Sequence, residues 1–109
     1  MKWNTLNHIS QLDSINEESK SIKIMLFKHS TRCSISSMAL TRIESNWKDS
    51  DSQLIKPYYL DLIANRDISN LIAEKYGIEH QSPQALVISN GKCIYHESHT
   101  NIRYNDIIS

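Results

Sequence analysis

Cysteine, proline and glycine are scarce in this sequence, with two of each among 109 residues. Cys33 and Cys93 stand sixty positions apart, which excludes both a multi-disulfide scaffold and a CxxC metal or redox pair. Neither sign of charge is in excess: 12 Lys and Arg balance 12 Asp and Glu. A basic footprint for nucleic acid or an anionic membrane is therefore lacking. Long apolar runs are lacking too. None approaches the roughly 20 residues of a membrane span, and the N-terminal MKWNTLNHISQLDSINEESK holds no signal-like stretch. These absences give the expectation of a cytoplasmic protein with neither nucleic-acid nor membrane partners. What remains, 39% hydrophobic and 22% charged residues, is the composition of one soluble globular domain over residues 1–109.

Hydrophobic periodicity orders the chain. Leu6, Ile9, Leu12 and Ile15 recur every third residue, so a helix is expected from Asn4 to about Ser19. Ile22 to Lys28 is a nearly unbroken apolar run bounded by lysines, as in a central strand covered on both faces. After Cys33 the period returns to helical, with Ile35, Met38, Ala39, Ile43 and Trp47 predicted to face inward and Ser36, Ser37, Arg42 and Glu44 outward. A polar stretch leads to a second strand over Leu54 to Leu62, placed at a sheet edge because Pro57 has no amide proton to donate. Asp67 is the expected cap of a helix carrying Ile68, Leu71, Ile72 and Tyr76, closed by Gly77. Ala85–Ile88 and Cys93–His96 form a hairpin through Asn90-Gly91, and a short terminal helix from Thr100 packs Ile102 and Ile107. The order αβαβαββα predicts an α/β fold, with helices on both faces of a mixed sheet.

Cys33 is the position with chemistry in it. It ends the loop that leaves the central strand and begins a helix, where free amide groups and the helix dipole favour a thiolate. Lys28, His29 and Arg32 precede it. Only a thiolate attacks a disulfide sulfur, so the neighbourhood suits thiol–disulfide exchange; an inert helix-start cysteine is the alternative. Ser82-Pro83 comes just before the hairpin, where a cis bond would turn the chain into the sheet; an ordinary trans turn is the alternative.

Together these residues resemble a known family. The blocks from Phe27 through His29, Cys33 and Ser36, Tyr59 to Leu62, Glu79 to Gln84, and Gly91 to His99 are similar to the YtxJ-type monothiol bacilliredoxins. The likeness spans nearly the whole chain, and its most specific pieces are the HSxxCxIS-like loop and Gln81-Ser82-Pro83-Gln84. The resemblance implies a thioredoxin-like fold with a four-stranded sheet ordered 4-3-1-2, strand 3 antiparallel, and Cys33 facing a cis-Pro83 loop. It also implies removal of bacillithiol, a small cysteinyl sugar thiol ending in malate, from S-bacillithiolated cytoplasmic proteins. Bacillithiol would be the thiol co-substrate of a monomer with no bound metal or nucleotide. One departure stands out: the family's usual Thr-Cys-Pro-Ile-Ser is here Arg32-Cys33-Ser34-Ile35-Ser36. Ser34 thus keeps an amide proton and a hydroxyl that a proline would lack.

The resemblance gives the other positions their expected roles. Ser36 occupies the place of the resolving cysteine in dithiol redoxins, so no CxxC disulfide can form, and its hydroxyl is a candidate partner for the thiolate. Lys28 or Arg32 suits the malate carboxylates, a solvated surface position being the alternative for either; His29 is placed to tune Cys33, a polar loop role being its alternative; and backbone groups at Ser82 and Pro83 suit an extended substrate segment. Cys93 is either a small buried hydrophobe or a resolving thiol, the latter requiring Cα atoms within roughly 7 Å of one another. The five histidines show no zinc spacing. Two other functions compete: an iron–sulfur carrier like the monothiol glutaredoxins, whose CGFS-type loop is absent here, and a non-catalytic thioredoxin-like adaptor.

Overall fold

The computed structural model describes residues 1–109. Its elements are β1 (Asn4–Thr5), α1 (Gln11–Glu18), β2 (Lys23–His29), α2 (Ser34–Asn46), β3 (Ile55–Asp61), α3 (Arg66–Tyr76), β4 (Gln84–Ser89), β5 (Lys92–Ser98) and α4 (Tyr104–Ile108). They build one sheet ordered β1-β3-β2-β4-β5, in which β4 runs antiparallel to its neighbours and β1, β3 and β2 are parallel. No helix is long and apolar enough to cross a membrane.

The sheet has five strands where four were expected. The extra one comes from the segment read as the start of a helix: Asn4 and Thr5 pair with Tyr58 and Tyr59, and the Leu6 amide donates to the Tyr59 carbonyl. Gln11 holds that strand to the helix that follows, donating from Nε2 to the Thr5 carbonyl and accepting the Asn7 and His8 amides at Oε1. The three-residue spacing of Leu6 and Ile9 therefore belongs to no helix: Leu6 is buried and Ile9 exposed. This also corrects the edge position of the strand that holds Pro57: β1 lies outside β3 and pairs with it from Tyr58, one residue past Pro57. Its carbonyl accepts from Asn4 Nδ2, so its missing donor faces the side where β1 has only begun to pair.

β2 runs through the middle, and Ile24, Met25, Leu26 and Phe27 are wholly buried. Alternation along the strand divides them. Ile24 and Leu26 pack with Leu12, Ile15, Ile68 and Ile72 from α1 and α3, while Met25 and Phe27 pack with Ala39, Ile43 and Ile107 from α2 and α4. Carried two residues further, the same alternation sends Lys28 toward α3 and His29 toward α2.

The hairpin forms as predicted, with Asn90 and Gly91 both at positive φ, 51° and 76°, as its tight turn requires. Gly77 ends α3 in the left-handed conformation at φ 67°. The cap of that helix is Asn65 rather than Asp67, and the terminal helix begins at Tyr104 after a short 3₁₀ turn, later than Thr100.

The inward face of α2 also differs from the expected one. Ser36, Ala39 and Ile43 are buried, whereas Ile35 and Met38 are 42% and 62% exposed. A serine can take the buried place because its hydroxyl finds two partners there, and two apolar residues next to Cys33 are left facing outward.

Candidate active site

Cys33 is the N-cap of α2, half-buried and in an extended conformation. The loop that carries it is closed by a bond from its amide to the Ser30 carbonyl, 3.1 Å, and its own carbonyl accepts the Ser37 amide. The amides of Ser34, Ile35 and Ser36, in the first turn of the helix, have no backbone acceptor. These are the donors a helix start leaves over, and a sulfur anion at the N-cap is placed to receive them. Arg32 and Ser34 on either side are exposed.

Beneath the loop, Ser36 and His29 form a buried pair. Ser36 Oγ accepts the Ser30 amide at 3.0 Å and lies 2.6 Å from His29 Nδ1. With its acceptor capacity turned to the amide, the hydroxyl donates to Nδ1, which assigns the ring proton to Nε2. Burial pushes the His29 pKa down, against the weaker upward pull of Asp61 and Glu44, so the ring is neutral at pH 7. Phe27 stacks on it at 6.2 Å and Tyr59 closes its other side at 5.6 Å. Ser36 is thus engaged in fixing the base of the loop. Replacing it by alanine is expected to cost about 1–3 kcal/mol, because the Ser30 amide and His29 Nδ1 both lose a buried partner. Denaturant unfolding of Ser36→Ala beside the exposed neighbour Ser37→Ala checks this; the control is expected to stay within about 0.5 kcal/mol of wild type.

Pro83 is buried and follows a cis peptide bond from Ser82. Gln84 pairs with Lys28 in the β4–β2 ladder, so Pro83 sits across from His29, at the end of the sheet where the Cys33 loop departs. The His99 amide donates to the Pro83 carbonyl at 3.0 Å and ties the end of β5 to the same corner. The backbone N–H and C=O of Ser82 take no part in the backbone network. Ser82 Oγ and Gln84 Oε1 are buried with no partner in the protein.

Lys28 does not lie on the surface around Cys33. It is 1% exposed and on the opposite face of the sheet, with Nζ 3.4 Å from the Ser69 carbonyl and 3.3 Å from His80 Nδ1. Ser69 Oγ is 3.1 Å from the same ring nitrogen, so His80 accepts there and keeps its proton on Nε2. Burial, then the charges of Lys28 and Arg66, lower the His80 pKa. Burial likewise lowers Lys28, to about 8. Sequence reading missed this cluster: Ser69 lay on a helix face with nothing to mark it, and His80 was legible only as part of the block before Pro83.

Cys93 is not brought to Cys33 either. It pairs with Ile88 at the hairpin end of the ladder, four residues of β2, or roughly 13 Å, beyond the Lys28–Gln84 rung. It packs against the α1/α3 core, with the sheet between it and α2. Its sulfur bonds the Tyr95 carbonyl at 3.2 Å, and burial raises its pKa. No group of three or more His, Cys, Asp or Glu side chains converges in the molecule.

A half-exposed thiol at a helix start, across from a cis-proline and without a second cysteine near it, is the geometry of single-thiol redox chemistry. Residues 4–107 match the family described as Monothiol bacilliredoxin BrxC. The chain belongs to the monothiol bacilliredoxin BrxC family. Among solved structures it is similar to a thioredoxin-fold protein with a proposed oxidoreductase role, at 30% identity and a TM-score of 0.81 over 94% of this chain and 88% of that one. Fasciola hepatica thioredoxin, 17% identical, aligns with a TM-score of 0.70 over 95% of this chain and 91% of its own. The oxidised thioredoxin of Plasmodium falciparum, 12% identical, does so at 0.74 over 98% and 95%. The fold of this bacilliredoxin is therefore that of thioredoxin, and its role is a redox one tied to bacillithiol-related thiol chemistry.

Proposed function

We propose that this bacilliredoxin removes bacillithiol from S-bacillithiolated proteins, with Cys33 as the nucleophile. The observation that carries the reading is the placement of Cys33: a half-exposed N-cap thiol, three unpaired helix amides around it, and a buried serine, Ser36, at the position where a dithiol enzyme holds its second thiol. In the first step the Cys33 thiolate attacks the bacillithiol sulfur of the mixed disulfide. That S–S bond breaks, the target's thiolate leaves and takes a proton, and a Cys33–bacillithiol disulfide forms. A second bacillithiol thiolate then attacks the bacillithiol sulfur of this adduct, freeing Cys33 and leaving bacillithiol disulfide.

The surrounding residues have distinct parts in this scheme. Ser34, with Ile35 and Ser36, offers backbone amides to the sulfur. Ser36 and His29 hold the loop from below. The unpaired backbone of Ser82, beside Pro83, accepts an extended segment of the target as a short added strand. Arg32 lies exposed beside the thiol, where it meets the target's surface. Incubation with a bacillithiolated test protein is expected to restore that protein's free thiol, as read with a thiol reagent. A target whose thiol stays blocked, in the presence of excess free bacillithiol, contradicts the reading.

A further inference from the structure

Two adjoining hollows make a shallow groove along one side of α2, below the Cys33 loop. The upper one, of about 30 Å³, lies between Ile35, two residues after Cys33, and His99, whose amide holds Pro83; Met38 forms its wall. The lower one shares Arg42 and Thr100 with it and is a cleft of about 530 Å³ that Arg103 and Asp106 face from the α4 side and Asn46 from α2. From Ile35 to Arg42 the helix rises about 10 Å. Arg42 is the corner shared by both parts. It is held in place by bonds from Nη1 to the carbonyls of Thr100, 3.4 Å, and Ile102, 3.1 Å, which leaves other guanidinium donors free. The ion pairs of the molecule are Lys20–Glu17, Lys56–Glu18 and Lys75–Asp13, so neither Arg42 nor Arg103 is neutralised by a carboxylate. Asp106 is the one carboxylate that faces the cleft, and two guanidinium groups outweigh it.

We infer that this groove receives the thiol part of the mixed disulfide, with Arg42 and Arg103 binding a dicarboxylate tail. The inference rests on the proposed function and deepens it. The malate of bacillithiol lies at the far end of the molecule from its sulfur, with the sugar between, and a shallow groove that begins at Ile35, two residues from the nucleophile, and ends at two unpaired arginines matches that order. Guanidinium groups pair with carboxylates through parallel hydrogen bonds, which suits them to this end of the ligand. Lys28, the other cation expected to serve the malate, is sealed behind the sheet.

The test compares one target protein carrying either bacillithiol or its desmalyl form, cysteinyl glucosamine, as the mixed disulfide. Wild type is expected to favour the malate-bearing substrate in kcat/KM by roughly tenfold. Arg103→Gln is expected to erase most of that preference through KM, and Asp106→Asn to increase it; both side chains are exposed and carry no hydrogen bond on which the fold depends. Equal rates on the two substrates overturn the groove assignment while leaving the proposed function standing. A preference that is lost in Arg32→Gln and kept in Arg103→Gln overturns it as well, moving the carboxylates to the loop. Failure of wild type on both substrates removes the proposed function and the inference together.

Discussion

Cys33→Ser is expected to abolish release of thiol from a bacillithiolated protein, and Cys93→Ser to retain a rate close to that of wild type. A serine hydroxyl does not attack disulfide sulfur at neutral pH, so no partial activity is expected from the isosteric change. Nothing else in the site can substitute for the lost nucleophile. Ser36 is buried and bonded to His29 and the Ser30 amide, and Cys93 lies at the far end of the ladder on the other face of the sheet. Burial also raises the Cys93 pKa and so opposes formation of a thiolate there. A progress curve for thiol release, followed for the two variants beside wild type, reads both outcomes. Loss of turnover in Cys93→Ser would assign that thiol a resolving role, which requires the sheet to open.

Lys28→Met is expected to make the protein more stable at pH 7 and to flatten the rise in its stability between pH 7 and pH 9. The sign follows from the depressed pKa. Lys28 titrates at about 8 in the folded state against an ordinary 10.5. Between those values the unfolded chain therefore binds a proton that the folded protein releases. Stability then increases with pH, beginning as pH passes 8 and completing above 10.5. At neutral pH the buried ammonium costs about 3 kcal/mol relative to that upper limit, and the gain from pH 7 to pH 9 is about 1.4 kcal/mol. Methionine keeps most of the length of the side chain without the charge, and Ser69 Oγ remains to satisfy His80 Nδ1. Urea unfolding of both proteins at the two pH values reads the effect, because His80, the titrating group in contact with Lys28, is held below its ordinary value first by its own burial. Parallel pH profiles contradict it.

Much of the fold was legible in local patterns that tertiary packing left undisturbed. The unbroken apolar run of β2 had to be covered on both faces, Asn90-Gly91 had to turn, and Gly77 had to stop a helix. The readings that changed share a cause: a polar side chain or a short pairing supplied what periodicity alone could not anticipate. Leu6 and Ile9 kept helical spacing with Leu12 and Ile15, yet β3 offered an open edge to Asn4 and Thr5, and Gln11 gathered the backbone groups of the turn. Ser36 read as a surface residue because its partners, His29 and the Ser30 amide, come from a different element. Of the site, Cys33 and Pro83 were visible because a helix start and the approach to a hairpin are local events. The burial of Lys28 was hidden for the opposite reason. Alternation along β2 puts residue 28 on the α3 face, but only the presence of Ser69 and His80 there makes a lysine tolerable.

The central claim is that one thiol, Cys33, takes the bacillithiol. Mass spectrometry of the protein after reaction with a bacillithiolated target, stopped by acid before free bacillithiol is added, measures this directly. The account predicts a single bacillithiol adduct on the peptide containing Cys33, matched by an equal amount of free thiol on the target. An adduct on Cys93, or free target thiol with Cys33 unmodified, would contradict it.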